Sequence, residues 1–106
     1  MLIEEGKKEI KSILKTEITY EGHFKKVFSN LKETKQKELI DWINKCNQNR
    51  KLPLQSKKDP ELIGFIMKFR ETNLRAILTK KKNKYFITPF LDNHKYYDRE
   101  RSKLGI

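Results

Sequence analysis

GFIMKFRETNLRAILTKKKNKYFITPFL, residues 64–91, is the stretch that decides the fold of this chain. Apolar and polar residues alternate along its first half, which is the period of a half-buried strand. The apolar members of that alternation are Phe65, Met67, Phe69, Leu74, Ala76 and Leu78. Asn73 and the lysine-rich segment 80–84 supply two turns, and residues 85–91 give a third strand, in which Pro89 favours an edge or a bulge. The stretch predicts an antiparallel meander of three strands.

Helical periodicity marks the residues before the meander. Residues 2–14 carry apolar side chains at helical spacing, and residues 17–20 form a short β-prone segment. Two further helices are predicted, one opening at Gly22 and one with Thr34 as its N-cap. Their apolar faces hold Phe24, Val27, Phe28, Leu31, Leu39, Trp42, Ile43 and Cys46. A single helical turn is predicted at 59–61, where a proline follows an aspartate.

Together these elements predict a single α+β domain over residues 1–106. N-terminal helices would pack on one face of a small antiparallel sheet, and the helix of about residues 1–15 would be an addition to that arrangement. The opposite face of the sheet would keep Lys68, Arg70 and Arg75 available to a ligand.

Positive charge is concentrated in the second half of the chain. The formal net charge is +11, and residues 50–106 hold fifteen basic side chains against six acidic ones. Such a surface attracts phosphate backbones through counterion release, which predicts a nucleic-acid partner. A lysine-rich solubilising surface and an acidic protein partner are the alternatives.

Several kinds of site are excluded by the residue inventory. One cysteine and two separated histidines offer neither a disulfide framework nor a spaced metal motif, so no metal and no cofactor is expected. A single thiol and the lack of an apolar run of about 18 residues predict a cytoplasmic chain with no membrane partner. The second half instead offers cations, phenols and a histidine, which suit metal-independent RNA cleavage. In that reaction the RNA 2′-hydroxyl attacks the adjacent phosphate.

Four segments in order resemble the RelE/ParE toxin superfamily, whose members have a short strand, two helices and a three-stranded antiparallel meander. Residues 18–28 resemble its strand-into-helix opening, and residues 62–70 the entry into its second strand. Residues 73–78 resemble the strand in which an arginine precedes apolar residues. Residues 90–97 resemble the end of its last strand, where basic residues precede a tyrosine.

This resemblance implies a toxin of a type II toxin–antitoxin system that cleaves mRNA as an endoribonuclease, an mRNA interferase that inhibits translation. The expected catalytic residues are Arg75, His94, Tyr97 and Lys68, with His94 as acid or base and Tyr97 as its partner or a base-stacking platform. The expected nucleic-acid-binding residues are Arg70, Lys95, Tyr96, Arg99 and Lys82. Ile66 stands where some ribosome-dependent members carry a second lysine, and the sequence leaves open which of the two tyrosines faces the site.

The implied partners are an acidic antitoxin, mRNA and the ribosome. Two other functions stay open at this point. One is a ParE-like toxin that inhibits gyrase and needs neither His94 nor Tyr97. The other is a non-catalytic basic accessory protein that binds nucleic acid.

Overall fold

The structure, a computed structural model, describes residues 1–69 and 73–106. Within these ranges it contains four helices and five strands. The helices are α1 (Ile3–Leu14), α2 (Phe24–Asn30), α3 (Glu33–Asn47) and α4 (His94–Leu104). The strands are β1 (Glu17–Tyr20), β2 (Leu54–Gln55), β3 (Leu62–Lys68), β4 (Leu74–Lys81) and β5 (Lys84–Leu91). In the described part of the chain, no helix is long and apolar enough to cross a membrane.

The strands form one sheet in the order β1-β5-β4-β3-β2. The α+β class and the meander are confirmed, because β4 pairs antiparallel with both β3 and β5. The complete five-stranded sheet is mixed rather than wholly antiparallel. β1 lies parallel to β5, since α2 and α3 carry the chain across the sheet before the meander begins. The two-residue β2, which was not predicted, pairs with β3 at the other edge.

The inner face of the sheet, which carries Leu74, Ala76 and Leu78, holds the main hydrophobic core. The side chains of β3 alternate as predicted, with Phe65 and Met67 directed to this side. Buried residues from α1, α2 and α3 belong to the same cluster, namely Ile10, Leu14, Phe24, Val27, Phe28, Leu39, Ile40, Trp42, Ile43 and Cys46. Buried side chains of these helices and of the inner face thus form one hydrophobic cluster.

The outer face, which carries Arg75, Ile77 and Thr79, is not open as predicted. It is covered in part by α4, in a segment that was interpreted as the end of a strand. That helix ends at Gly105, which adopts φ +75° and donates its amide to the Arg101 and Ser102 carbonyl oxygens, and basic side chains in its last turn suit the helix dipole. Ile77 and Thr79 are buried as a result.

Hydrogen bonds join the C-terminal end of α4 to the residues that follow β2. The Ser56 hydroxyl donates to the Leu104 carbonyl oxygen at 2.5 Å, and the Lys57 amide donates to the Gly105 carbonyl oxygen at 2.9 Å. The side chain of Ile106 lies against Gly64, at a distance that leaves no room there for a Cβ atom. These contacts hold α4 against the outer face.

Two helix predictions need local correction. α3 begins at Glu33, one residue before the predicted cap Thr34, because the Lys32 carbonyl oxygen already accepts the first helical amides. Residues 59–61 form a turn rather than a helical turn. The Asp59 carboxylate accepts the Glu61 amide at 3.0 Å, and the ladder with β4 then takes the chain into β3.

The strand ends also differ from expectation. The β4–β5 ladder continues to the pair Lys81 and Lys84, so the predicted loop over 80–84 shrinks to two residues. Pro89 lies on a central strand rather than at an edge or bulge. It is accommodated because β1 ends opposite Ile87, which leaves Pro89 without a neighbouring strand on that side.

Candidate nucleic-acid interface

A row of side chains crosses the outer face at the end where β3 stops. Lys68 pairs with Arg75 across β3 and β4, and Arg75 pairs with Phe90 across β4 and β5. Cross-strand partners share a face, so these three side chains lie side by side. Lys68 is exposed and Arg75 is half-buried. Within residues 1–69 and 73–106, no carboxylate forms an ion pair with either cation.

Arg75 rests on the ring of Tyr97. Its guanidinium carbon lies 5.0 Å from the ring centroid, and that of Arg101 lies 5.9 Å from it. Phe90 meets the same ring edge-on, with centroids 5.6 Å apart. Such contacts orient the guanidinium group while its N–H donors stay available. Tyr97 thus supports Arg75 from below.

Tyr97 itself is only 1% exposed, and its hydroxyl has no hydrogen-bond partner among the described residues. A side chain this deeply buried presents no ring to a nucleobase, so the expectation of Tyr97 as a stacking platform does not fit this geometry. Tyr96 is 55% exposed. The two tyrosines divide as expected, one structural and one facing outward, although they lie on a helix and not on a strand.

His94 is the first residue of α4 and is exposed. It precedes Tyr97 by three residues, so both lie toward the same side of the helix. The structure therefore gathers Lys68, Arg75 and Tyr97 at one corner of the outer face. His94 begins α4 one helical turn before Tyr97.

A second cluster lies on the neighbouring side of α4. The guanidinium carbon of Arg99 lies 5.2 Å from the ring centroid of Tyr96, and Lys95, one residue before that tyrosine, is exposed. Tyr96, Arg99, Glu100 and Lys103 form one stripe along the helix. That stripe is one wall of a groove of about 510 Å³.

The other wall of the groove is the connection between β1 and α2, where Glu21, Gly22 and His23 lie. Its floor includes Thr88, whose hydroxyl lies 3.4 Å from a Glu21 carboxylate oxygen. Glu21, His23, Glu100 and Arg101 were not predicted as site residues from the sequence. The i, i+3, i+4, i+7 spacing along α4 is the signal that could have found the α4 residues, once that segment is recognised as a helix.

One predicted binding residue, Lys82, joins neither cluster. Lys82 lies in the β4–β5 turn, seven residues along the chain from Arg75 and so about 23 Å away along the strand. Its ammonium group lies 3.9 Å from a Glu61 carboxylate oxygen. The neighbouring Lys81 donates to Asp59 at 2.7 Å, and that hydrogen bond lowers the pKa of the Asp59 carboxyl. Arg70 lies outside the described residues.

Comparison of the chain with protein-family models, with curated proteins and with solved structures found no match. Within the described ranges, no group of three or more histidine, cysteine, aspartate or glutamate side chains is arranged to hold a metal ion. The candidate site consists of two clusters, one around Lys68 and Arg75 and one along α4 around Tyr96 and Arg99.

Proposed function

We propose that this protein is a metal-independent endoribonuclease of the toxin type that binds RNA on its outer face. The observation that carries the proposal is the pair Lys68 and Arg75 on the outer face, where Arg75 stacks on Tyr97, one helical turn after the exposed His94. The order of strand, helices and meander supports the likeness to RelE/ParE toxins, on which the toxin assignment rests.

Arg75, Lys68 and His94 each have a role in RNA cleavage. Arg75, held by Tyr97, would place two N–H donors on the non-bridging oxygens of the scissile phosphate, with Lys68 adding a second positive charge. The 2′-oxygen attacks phosphorus and forms the cyclic phosphate as the bond to the 5′-oxygen breaks. His94 takes the 2′-hydroxyl proton or gives a proton to the leaving 5′-oxygen. No covalent enzyme intermediate is needed, since RNA supplies the nucleophile.

The proposal includes the cellular setting of such a toxin. The protein would act on mRNA in the cytoplasm, on the ribosome or free of it, and an acidic antitoxin would cover the basic outer face. The excess of nine positive charges in residues 50–106 supports both an RNA substrate and an acidic partner.

Cleavage of a defined RNA by the purified protein tests the proposal. Arg75→Ala and His94→Ala should each lower the cleavage rate by on the order of 10²-fold, with EDTA leaving the parent rate unchanged. Lys37→Ala, which removes an exposed lysine from α3, is the matched control and should cleave like the parent. Circular dichroism verifies that each variant is folded.

Three outcomes would overturn the proposal. Cleavage at the parent rate by the folded Arg75→Ala/His94→Ala double variant would place the chemistry elsewhere. RNA binding without any cleavage would indicate a non-catalytic accessory protein. Arrest of replication with intact mRNA, after induction in cells, would indicate a gyrase-inhibiting toxin.

A further inference from the structure

From the geometry of the α4 groove we infer that it is a pocket for a single guanine base. The groove lies between the α4 stripe and the β1–α2 connection, next to the corner that holds Arg75. The inference rests on the proposed RNA binding and adds a base preference to it. Arg75, His94 and Lys68 are not among the groove's lining residues.

The first observation is the charge of the groove. This groove is lined by two half-buried carboxylates, Glu21 and Glu100, and also by the cations Arg99 and Lys103. The Lys103 ammonium group lies 4.0 Å from a Glu100 carboxylate oxygen. The two carboxylates come from different elements, the β1–α2 connection and α4, and converge on the same space. Carboxylates repel a phosphate but accept hydrogen bonds from the N–H groups of a base. The groove therefore suits a base edge, whereas the phosphates belong to the cations around it.

The second observation is the stacking surface at the mouth of the groove. Tyr96 is exposed, and Arg99 lies over its ring. Aromatic rings and guanidinium planes are the surfaces on which proteins stack unpaired RNA bases. A base inserted beside this pair would direct its hydrogen-bonding edge toward the carboxylates deeper in the groove. A groove of about 510 Å³ falls in the size range of small-ligand sites, roughly 300–1,000 Å³.

The four RNA bases differ in the hydrogen-bond donors that they can offer to a carboxylate. The Watson–Crick edge of guanine presents two adjacent donors, N1–H and the N2 amino group, which match the two oxygens of one carboxylate. Adenine and cytosine present one amino group beside an acceptor nitrogen, which a carboxylate oxygen would repel. Uracil presents one N–H between two carbonyl oxygens. Guanine is therefore the base whose edge a carboxylate in this pocket favours.

Titration of the full-length ¹⁵N-labelled protein with 5′-GMP, AMP, CMP and UMP tests the inference. GMP should shift the amide resonances of Gly22, His23 and Thr88 and should bind about tenfold more tightly than the other three. Either Glu21→Gln or Glu100→Gln should abolish the preference, according to which carboxylate accepts the two donors, because an amide cannot accept both. Tyr96→Ala should weaken binding of every base by about tenfold, as loss of a stacking ring does.

Glu17→Gln is the matched control, because Glu17 lies on the same side of β1 as Glu21 but outside the groove. It should bind GMP like the parent. Equal binding of all four nucleotides, or unchanged GMP preference in both glutamine variants, would overturn the guanine pocket. Shifts of the same resonances by inorganic phosphate alone would also overturn it, since they would indicate an anion site.

The guanine pocket and the nuclease fail in different ways. RNA cleavage that depends on Arg75 but shows no preference for guanine would contradict the guanine pocket and leave the nuclease proposal standing. GMP binding in the groove, without any RNA cleavage by the protein, would contradict the nuclease proposal and leave the guanine pocket standing.

Discussion

The two faces of the sheet are built by different means. On the inner face, three helices contribute apolar side chains to one continuous core around Leu74, Ala76 and Leu78. On the outer face, a single polar helix covers Ile77 and Thr79 and leaves a cationic corner and a groove beside it. The inner face accounts for most of the buried apolar surface, so stability should depend on it more strongly. The outer face is where polar groups remain available for a ligand.

The largest expected effect compares neighbouring residues of β4. Leu78 points to the inner core and Ile77 to the outer layer, and both are buried. Leu78→Ala should lower the free energy of unfolding by about 4 kcal/mol, because the close-packed core cannot fill the space. Ile77→Ala should cost about 2 kcal/mol, since Ile77 already borders an open cavity that water can enter. Urea unfolding measures both, and equal losses would show that the outer layer is as tightly packed as the inner core.

The next prediction concerns the junction of α1 with the inner core. A Cβ atom at Gly6 would lie 2.5 Å from Cζ of Phe28, which is fully buried and cannot move aside. Gly6→Ala should therefore destabilise the protein by about 1–2 kcal/mol, although alanine favours a helix by about 1 kcal/mol. In a Phe28→Leu background the clash disappears, and the same change should become neutral or stabilising. A cost that persists there would mean that the fit of Gly6 to Phe28 is not the cause.

The contrast between the faces also explains what could be predicted from the sequence. Leu74, Ala76 and Leu78 alternate with period two, and Leu39, Trp42, Ile43 and Cys46 recur with helical period, so the sequence pattern predicted the inner layer. α4 buries mainly Tyr97 and has too few apolar residues for such a pattern. Its segment was therefore interpreted as a strand end. The candidate site was predicted only in part for the same reason. Arg75 and His94 were identified from their chemistry, whereas Glu21 and Glu100 meet only because α4 folds back.

A smaller effect is expected at high pH and comes from the inner layer. Burial raises the pKa of the Cys46 thiol to about 12. In the unfolded chain the thiol ionises near pH 9, so between about pH 9 and 12 the unfolded state loses its proton first and folding stability falls. By pH 10 this should cost about 1.4 kcal/mol. Cys46→Ala should show a flatter pH dependence than the parent in urea unfolding at about pH 8, 10 and 11.

Tyr20 offers the matched comparison for that measurement. Burial, with a smaller contribution from Glu4, raises the pKa of its hydroxyl to about 12, against about 10 in the unfolded chain. Tyr20→Phe should therefore flatten the pH dependence only above about pH 10, roughly one pH unit later than Cys46→Ala. Identical pH profiles for the parent and both variants would contradict the burial of these two groups in the inner layer.

The smallest expected effect separates support from chemistry on the outer face. The Tyr97 hydroxyl is buried without a hydrogen-bond partner among the described residues, a situation that costs free energy. Tyr97→Phe should thus raise the free energy of unfolding by about 1 kcal/mol or less, because the ring keeps its contacts with Arg75 and Phe90. RNA cleavage should be unchanged in this variant, since the ring that remains would still support the guanidinium group of Arg75. Tyr97→Leu should lower cleavage by removing that support. Loss of cleavage in a folded Tyr97→Phe variant would show instead that the hydroxyl takes part in the reaction and that α4 must move to expose it.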